Sequence, residues 1–176
     1  MNIVPLCTGN VARSVMLGYM LATLAEGTGA EWSIRTAGTH VVEGSAMSSR
    51  TRDALLKIDA LGQPRYGAHR SHQFNAEDAA WADVILASEA GHVHYVRTHF
   101  VGAGNKTVQL VRFVESAPPN VDVNDQLRVV ASLEPSPSLD VLDPAGGDEA
   151  VYDACASQLW ELAKAFALLV GEDPRS

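Results

Sequence analysis

Apolar positions along this chain fall into short bursts separated by polar, glycine- and proline-containing stretches. Residues 2–7 form an apolar run that breaks abruptly at Thr8-Gly9-Asn10. Leu17, Met20, Leu21 and Leu24 then recur at helical spacing within 13–27. That pattern predicts a strand, a tight loop and a helix. Residues 32–37 read as a second strand closed by Gly38, and Ala54, Leu55, Ile58 and Leu61 as the stripe of a second helix ended by Gly62. Residues 83–88 have the continuous apolar character of a fully buried strand. A helix is expected over 89–99 and a fourth strand over 107–113. The stretch 115–146 is rich in Pro, Asp, Ser and Gly, with a short helix expected over 124–133. A last helix starts near Asp148, a suitable N-cap, and carries Val151, Cys155, Leu159, Leu162, Phe166 and Leu169 to Gly171.

Strands alternating with helices predict an α/β fold with a parallel sheet covered on both faces. Its length suits a single domain over 1–176. Ligands of such sheets bind beyond the carboxyl ends of the strands, and the first strand ends at Cys7.

Charge narrows the function classes. The formal net charge is −8, and the longest basic cluster is Arg50-Thr51-Arg52. A phosphate-backbone-binding surface needs a basic excess, so nucleic acid and membrane are not expected partners. Two cysteines, Cys7 and Cys155, do not make a disulfide framework. The N-terminus lacks a signal-peptide pattern, and no apolar stretch is long enough to span a bilayer. The expected compartment is the cytoplasm, with reduced thiols.

The segment Cys7-Thr8-Gly9-Asn10-Val11-Ala12-Arg13-Ser14 carries the candidate chemistry. A loop this short, entering a helix, can turn its backbone N–H groups toward one oxyanion. Gly9 and Asn10 suit its tightest part, since both tolerate left-handed backbone. Arg13 can return over the cradle as a two-pronged fork for phosphate oxygens. The same positive potential favours a thiolate at Cys7, to which Ser14 can donate a hydrogen bond. Such a thiolate can attack phosphorus and form a phosphocysteine. A bare Cys-x5-Arg also fits a small buried cysteine at a strand end. The fixed Gly, Asn and Ser between strand and helix set this segment apart.

This loop resembles the Cys-x-Gly-Asn-x-Cys-Arg-Ser pattern of the low-molecular-weight protein tyrosine phosphatases. The resemblance continues through Thr36-Ala37-Gly38-Thr39, His69-Arg70-Ser71-His72, Ala82-Asp83-Val84-Ile85-Leu86 and Asp143-Pro144-Ala145-Gly146-Gly147. It implies a four-stranded parallel sheet in a three-layer domain. It implies catalysis by Cys7, Arg13 and the general acid Asp143, with phosphate held by Thr8, Gly9, Asn10, Val11, Ala12, Arg13 and Ser14. It also implies that the Thr36 hydroxyl braces Asn10 and that His69 has a structural hydrogen-bonding role. Expected substrates are phosphotyrosine proteins or small aryl phosphates, with inhibition by phosphate-like oxyanions and no cofactor or metal. The chain departs from the pattern at Ala12, where a second loop cysteine is usual, and at His72, where arginine is usual. No aromatic residue follows Asp143-Pro144, and Pro5 is unusual in a first strand because it lacks the amide a ladder uses.

Three other activities share parts of this pattern. A thioredoxin-coupled arsenate reductase needs further cysteines, which leaves only a version resolved by an external small thiol. Protein-arginine phosphatases of the family carry Thr at the position of Val11, so an apolar Val11 favours aryl phosphate. A phosphate-binding module without turnover has no need of Cys7 and Asp143 together. His92, His94 and His99 lack the spacing of a zinc motif and are expected on a solvated helix. His40 is a candidate for the pocket rim. Cys155 is expected in the core, and Asp140 as a solvated loop charge.

Overall fold

A computed structural model describes residues 1–62 and 66–171. Among these residues five parallel strands form one sheet: β1 (Asn2–Cys7), β2 (Ser33–Ile34), β3 (Ala37–Gly38), β4 (Val84–Ala87) and β5 (Thr107–Gln109). Their order is β2-β1-β4-β5, with β3 also paired to β1. Among the described residues seven α-helices accompany them: α1 (Arg13–Thr28), α2 (Ser49–Leu56), α3 (Ala76–Trp81), α4 (Ala90–His99), α5 (Leu110–Ser116), α6 (Val123–Ala131) and α7 (Glu149–Gly171).

Alternate residues of the central strands feed two cores. Ile3, Val84, Leu86 and Val108 pack toward a cluster that includes Leu17, Met20 and Leu21 of α1 and Leu159 and Phe166 of α7. Val4, Leu6 and Ile85 point the other way, toward Phe74, Ala79 of α3 and Val96 of α4. The three-layer architecture follows from burying both faces of a parallel sheet.

Several expected elements are redrawn. The strand over 32–37 is two dipeptide strands, so the sheet has five strands rather than four. The break has a cause in β1. Met1, Ile3 and Cys7 offer their carbonyls to Ser33, Arg35 and Thr39, so odd residues face β2 and β3. Pro5 falls on that side and has no N–H to give, and the ladder lapses opposite it at residues 35–36. On the other side, Pro5 still sits in register with Leu86. The strand expected over 107–113 stops at Gln109, because Leu110 and Phe113 turn into the core from α5. The helix expected to reach Gly62 ends at Leu56, and Ile58 and Leu61 join the core from a turn. Helix α3 was hidden by its shortness. It is set by Asn75, whose side chain accepts from Glu77 and Asp78 while Asp78 accepts from the Asn75 amide in return. Asp148 accepts from the Val151 amide at 3.2 Å, the expected N-cap of α7.

Candidate active site

The loop between β1 and α1 is held from outside by its carbonyls. The Cys7 and Thr8 carbonyls accept from the amides of Thr39 and His40, each at 2.9 Å. The Asn10 carbonyl accepts from His69 Nε2 at 2.8 Å. The Val11 carbonyl accepts from the Ser48 amide at 3.2 Å and the Thr51 hydroxyl at 2.9 Å. Ala12 closes the set by accepting from Met16. With the carbonyls turned outward, the amides of residues 8–14 have no acceptor among the described residues. They lie at the N-terminus of α1, whose cap residue Ala12 supplies no side-chain bond. Unsatisfied amides at a helix N-terminus attract an anion.

Asn10 shapes this cradle. It is fully buried with a φ of 51°, the left-handed region that asparagine tolerates. Gly9, also expected there, keeps ordinary backbone. Asn10 Nδ2 donates to Ser14 Oγ at 2.9 Å, and Oδ1 accepts from the His72 amide at 2.9 Å. Those bonds replace the expected brace from Thr36, whose methyl instead packs over Gly18. Ser14 Oγ lies 3.0 Å from Cys7 Sγ. With Asn10 donating to it, the Ser14 hydroxyl is free to give its own proton to the sulfur. Gly38 is required by close approach: a Cβ there would stand 2.5 Å from the Thr8 carbonyl and 3.0 Å from the Asn10 nitrogen.

Arg13 ties the cradle to the far loop. It is buried, with Nη1 on Glu89 and on the Val141 carbonyl at 3.1 Å, and Nη2 3.2 Å from Asp143 Oδ2. Asp143 is half exposed and accepts from the Ala145 amide, an Asx turn over Pro144. Asp140 is not a solvated charge. It accepts from the Ala90 amide at the start of α4 at 2.7 Å and from Gln109 at 2.6 Å. The loop thus separates a structural aspartate from one facing the cradle.

Glu89 was not legible as a site residue, although its place just past β4 is where sheets of this kind build sites. His92 corrects the solvated reading of its helix. It is buried, with Nε2 3.0 Å from Thr8 Oγ1, and burial first of all lowers its pKa to about 4, so the ring is neutral near pH 7. His94 and His99 are exposed, and no group of three potential metal ligands exists among the described residues. A cavity of about 430 Å³ opens beside Thr8, lined in part by His40, Glu89, His92 and Tyr95. His40 therefore takes its expected place at the rim, edge-on to Tyr95. Tyr95 supplies a ring that the Asp143-Pro144 turn does not. Cys155 lies in the α7 core, where burial pushes its thiol up to about 12. His69 has its pKa lowered, mainly by burial, consistent with a neutral ring donating through Nε2.

Comparison with known proteins agrees with this geometry. The model of the low molecular weight phosphotyrosine protein phosphatase family matches residues 2–175. A protein-arginine-phosphatase of Geobacillus stearothermophilus is 30% identical over 155 residues, covering 87% of this chain and 84% of its own. One of Bacillus subtilis is 26% identical over 99% of this chain and all of its own. Among solved structures, a YwlE arginine phosphatase mutant with a phosphorylated active-site serine superposes with a TM-score of 0.78 at 25% identity, covering 99% of each chain. A low molecular weight protein tyrosine phosphatase of T. tengcongensis superposes with a TM-score of 0.76, also at 25% identity, covering 94% of this chain and 97% of its own. Cradle, sheet and family match coincide over nearly the whole sequence, and the chain belongs to the low molecular weight phosphotyrosine protein phosphatase family.

Proposed function

We propose that this phosphatase hydrolyses phosphotyrosine and related aryl phosphates through a phosphocysteine on Cys7. The observation that carries the reading is the placement of Cys7 Sγ, 3.0 Å from Ser14 Oγ, beside the amides of residues 8–14, which have no acceptor among the described residues. Phosphate seated on those amides meets the sulfur in line. Arg13 holds its oxygens as charge shifts in the transition state. The thiolate forms the sulfur–phosphorus bond while the phosphorus–oxygen bond breaks, and Asp143 gives its proton to the departing phenolate. The Asp143 carboxylate then takes a proton from water, which attacks the phosphocysteine and releases phosphate and free Cys7. A relative with a phosphorylated active-site serine supports a covalent step on the matching side chain.

Tyr95 beside the cradle and the apolar side chain of Val11 favour an aryl leaving group. A second reading, protein-arginine phosphatase, is favoured by the names of both curated relatives. The internal thiol relay of an arsenate reductase has no second cysteine to use, since Cys155 is buried in the α7 core.

The test is metal-free kinetics on p-nitrophenyl phosphate, phosphotyrosine peptide and phosphoarginine peptide. Cys7→Ser is expected to lose all turnover and still bind phosphate. Val11→Thr is expected to raise phosphoarginine turnover relative to phosphotyrosine. A wild-type preference for phosphoarginine would transfer the assignment to the second reading, and activity retained in Cys7→Ser would end both.

A further inference from the structure

His72 stands where the family pattern has arginine, and its backbone holds the cradle at Asn10 and the adjoining strand β3 at Gly38. Its amide donates to Asn10 Oδ1, and its carbonyl accepts from the amide of Gly38, each at 2.9 Å. Its ring lies between carboxylates from two different elements. Nε2 is 2.8 Å from Asp78 Oδ2 on α3, and Nδ1 is 3.4 Å from Glu43 Oε1 in the 39–48 loop. Asp78 and Glu43 are the charged groups facing the ring. The Asn75 amide group is also near, at 3.4 Å from Nε2.

Glu43 is itself a docking point. Its second oxygen accepts from the Gln73 amide at 2.8 Å, and the Gln73 side chain bonds the Val41 amide and the Thr39 carbonyl. The 39–48 loop, which brings Thr39 and His40 to the site, is thus fastened to the 69–73 segment beside the cradle. A protonated imidazole donates to both carboxylates. A neutral one has a single N–H, so one contact then sets a lone pair against a carboxylate. Burial works against the charged ring, but Asp78 and then Glu43 outweigh it, and the pKa lies above the ordinary histidine value. The arginine of the family pattern would stay charged throughout.

We propose that His72 is a positioning residue whose protonation clamps the 39–48 loop to α3 and keeps Asn10, and with it the cradle, in anion-binding shape. On deprotonation the Asp78 contact, short and buried, is kept, and the longer one to exposed Glu43 is given up. The clamp concerns phosphate binding by the cradle and rests on the phosphatase reading for its kinetic readout alone.

The experiment titrates inorganic phosphate calorimetrically, beside p-nitrophenyl phosphate kinetics, from about pH 5.5 to about pH 9. Ratios to wild type cancel the titration of phosphate itself. For His72→Arg, the affinity ratio is expected near one at the acid end, rising roughly three- to ten-fold at the alkaline end, the size of one partly exposed hydrogen bond. For His72→Gln, a similar deficit is expected at the acid end and none at the alkaline end. Should the arginine variant not fold, Glu43→Gln replaces it, with its deficit confined to the acid end. Ratios independent of pH overturn the proposal. If the ratios behave as expected while Cys7→Ser keeps its turnover, the reaction scheme fails and the clamp stands. Flat ratios with an inactive Cys7→Ser remove the clamp and leave the reaction scheme standing.

Discussion

Asp140 and Asp143 sit three residues apart in one loop, yet their surroundings assign them different work. Asp140 spends an oxygen on the Ala90 amide and on Gln109, so it joins the start of α4 to the end of β5. Asp143 keeps an oxygen 3.2 Å from Arg13 Nη2, at the mouth of the cradle. Substitutions should separate them. Tyrosine's phenol, with a pKa near 10, leaves badly as an anion, whereas p-nitrophenol is already acidic. Asp143→Ala is expected to slow phosphotyrosine by about 10²–10⁴-fold and p-nitrophenyl phosphate far less. Asp140→Ala is expected to cost about 1–2 kcal/mol of stability through the lost cap, with equal kinetic losses for both substrates. Equal losses in Asp143→Ala would remove it from the acid role.

At the scale of elements, helix α2 acts as an external brace for a loop it does not adjoin in sequence. Thr51 is fully buried, and its hydroxyl bonds both the Val11 carbonyl at 2.9 Å and Ser48 Oγ, the N-cap of α2, at 2.7 Å. Thr51→Val keeps the volume and removes the donor. It should cost about 1–2 kcal/mol in urea unfolding and weaken phosphate binding several-fold; unchanged phosphate affinity would show that the Ser48 amide alone fixes Val11. This brace was invisible in the sequence, because nothing local to Thr51 announces a partner 40 residues away. The legible features were those with local causes. The β1–loop–α1 unit could be read because Cys7, Asn10, Arg13 and Ser14 fall within one turn of chain. The α7 stripe could be read because burial repeats at helical spacing. Elements decided by tertiary pairing were not. The break between β2 and β3 depends on Pro5 in another strand, and the early end of β5 on the core space that α5 fills. Glu89 and Asp140 acquire their roles only when β4, α4 and the 132–148 loop meet.

At the scale of the whole molecule, three histidines held by the site couple folding to pH, and not with one sign. His92 is held neutral, its pKa lowered to about 4 against an unfolded value near 6.5. Between those values the unfolded chain takes up a proton that the native state refuses. Stability therefore falls as pH drops through that window, by up to about 3 kcal/mol from this one ring. His69 is also lowered, mainly by burial, and adds loss of the same sign. His72 is raised and opposes them: its contribution is fully present below its unfolded pKa and disappears as pH rises through its folded one. Native carboxylates add their own acid lability, so the comparison that isolates His92 is a difference between wild type and variant. His92→Gln can still reach Thr8 and has nothing to titrate. Urea midpoints measured from about pH 7 down to about pH 4 should fall less steeply in this variant than in wild type, whatever the offset at neutral pH. In His72→Gln the midpoints below about pH 6.5 should run parallel to wild type, and its deficit should shrink as pH is raised from there toward about pH 9, where wild type loses the His72 contribution. The two histidines therefore act in different windows, His92 below about pH 6.5 and His72 above it. An acid limb of His92→Gln parallel to that of wild type would mean that the buried ring beside Thr8 accepts its proton in the native state and that the wall of the cradle is wetter than its burial implies.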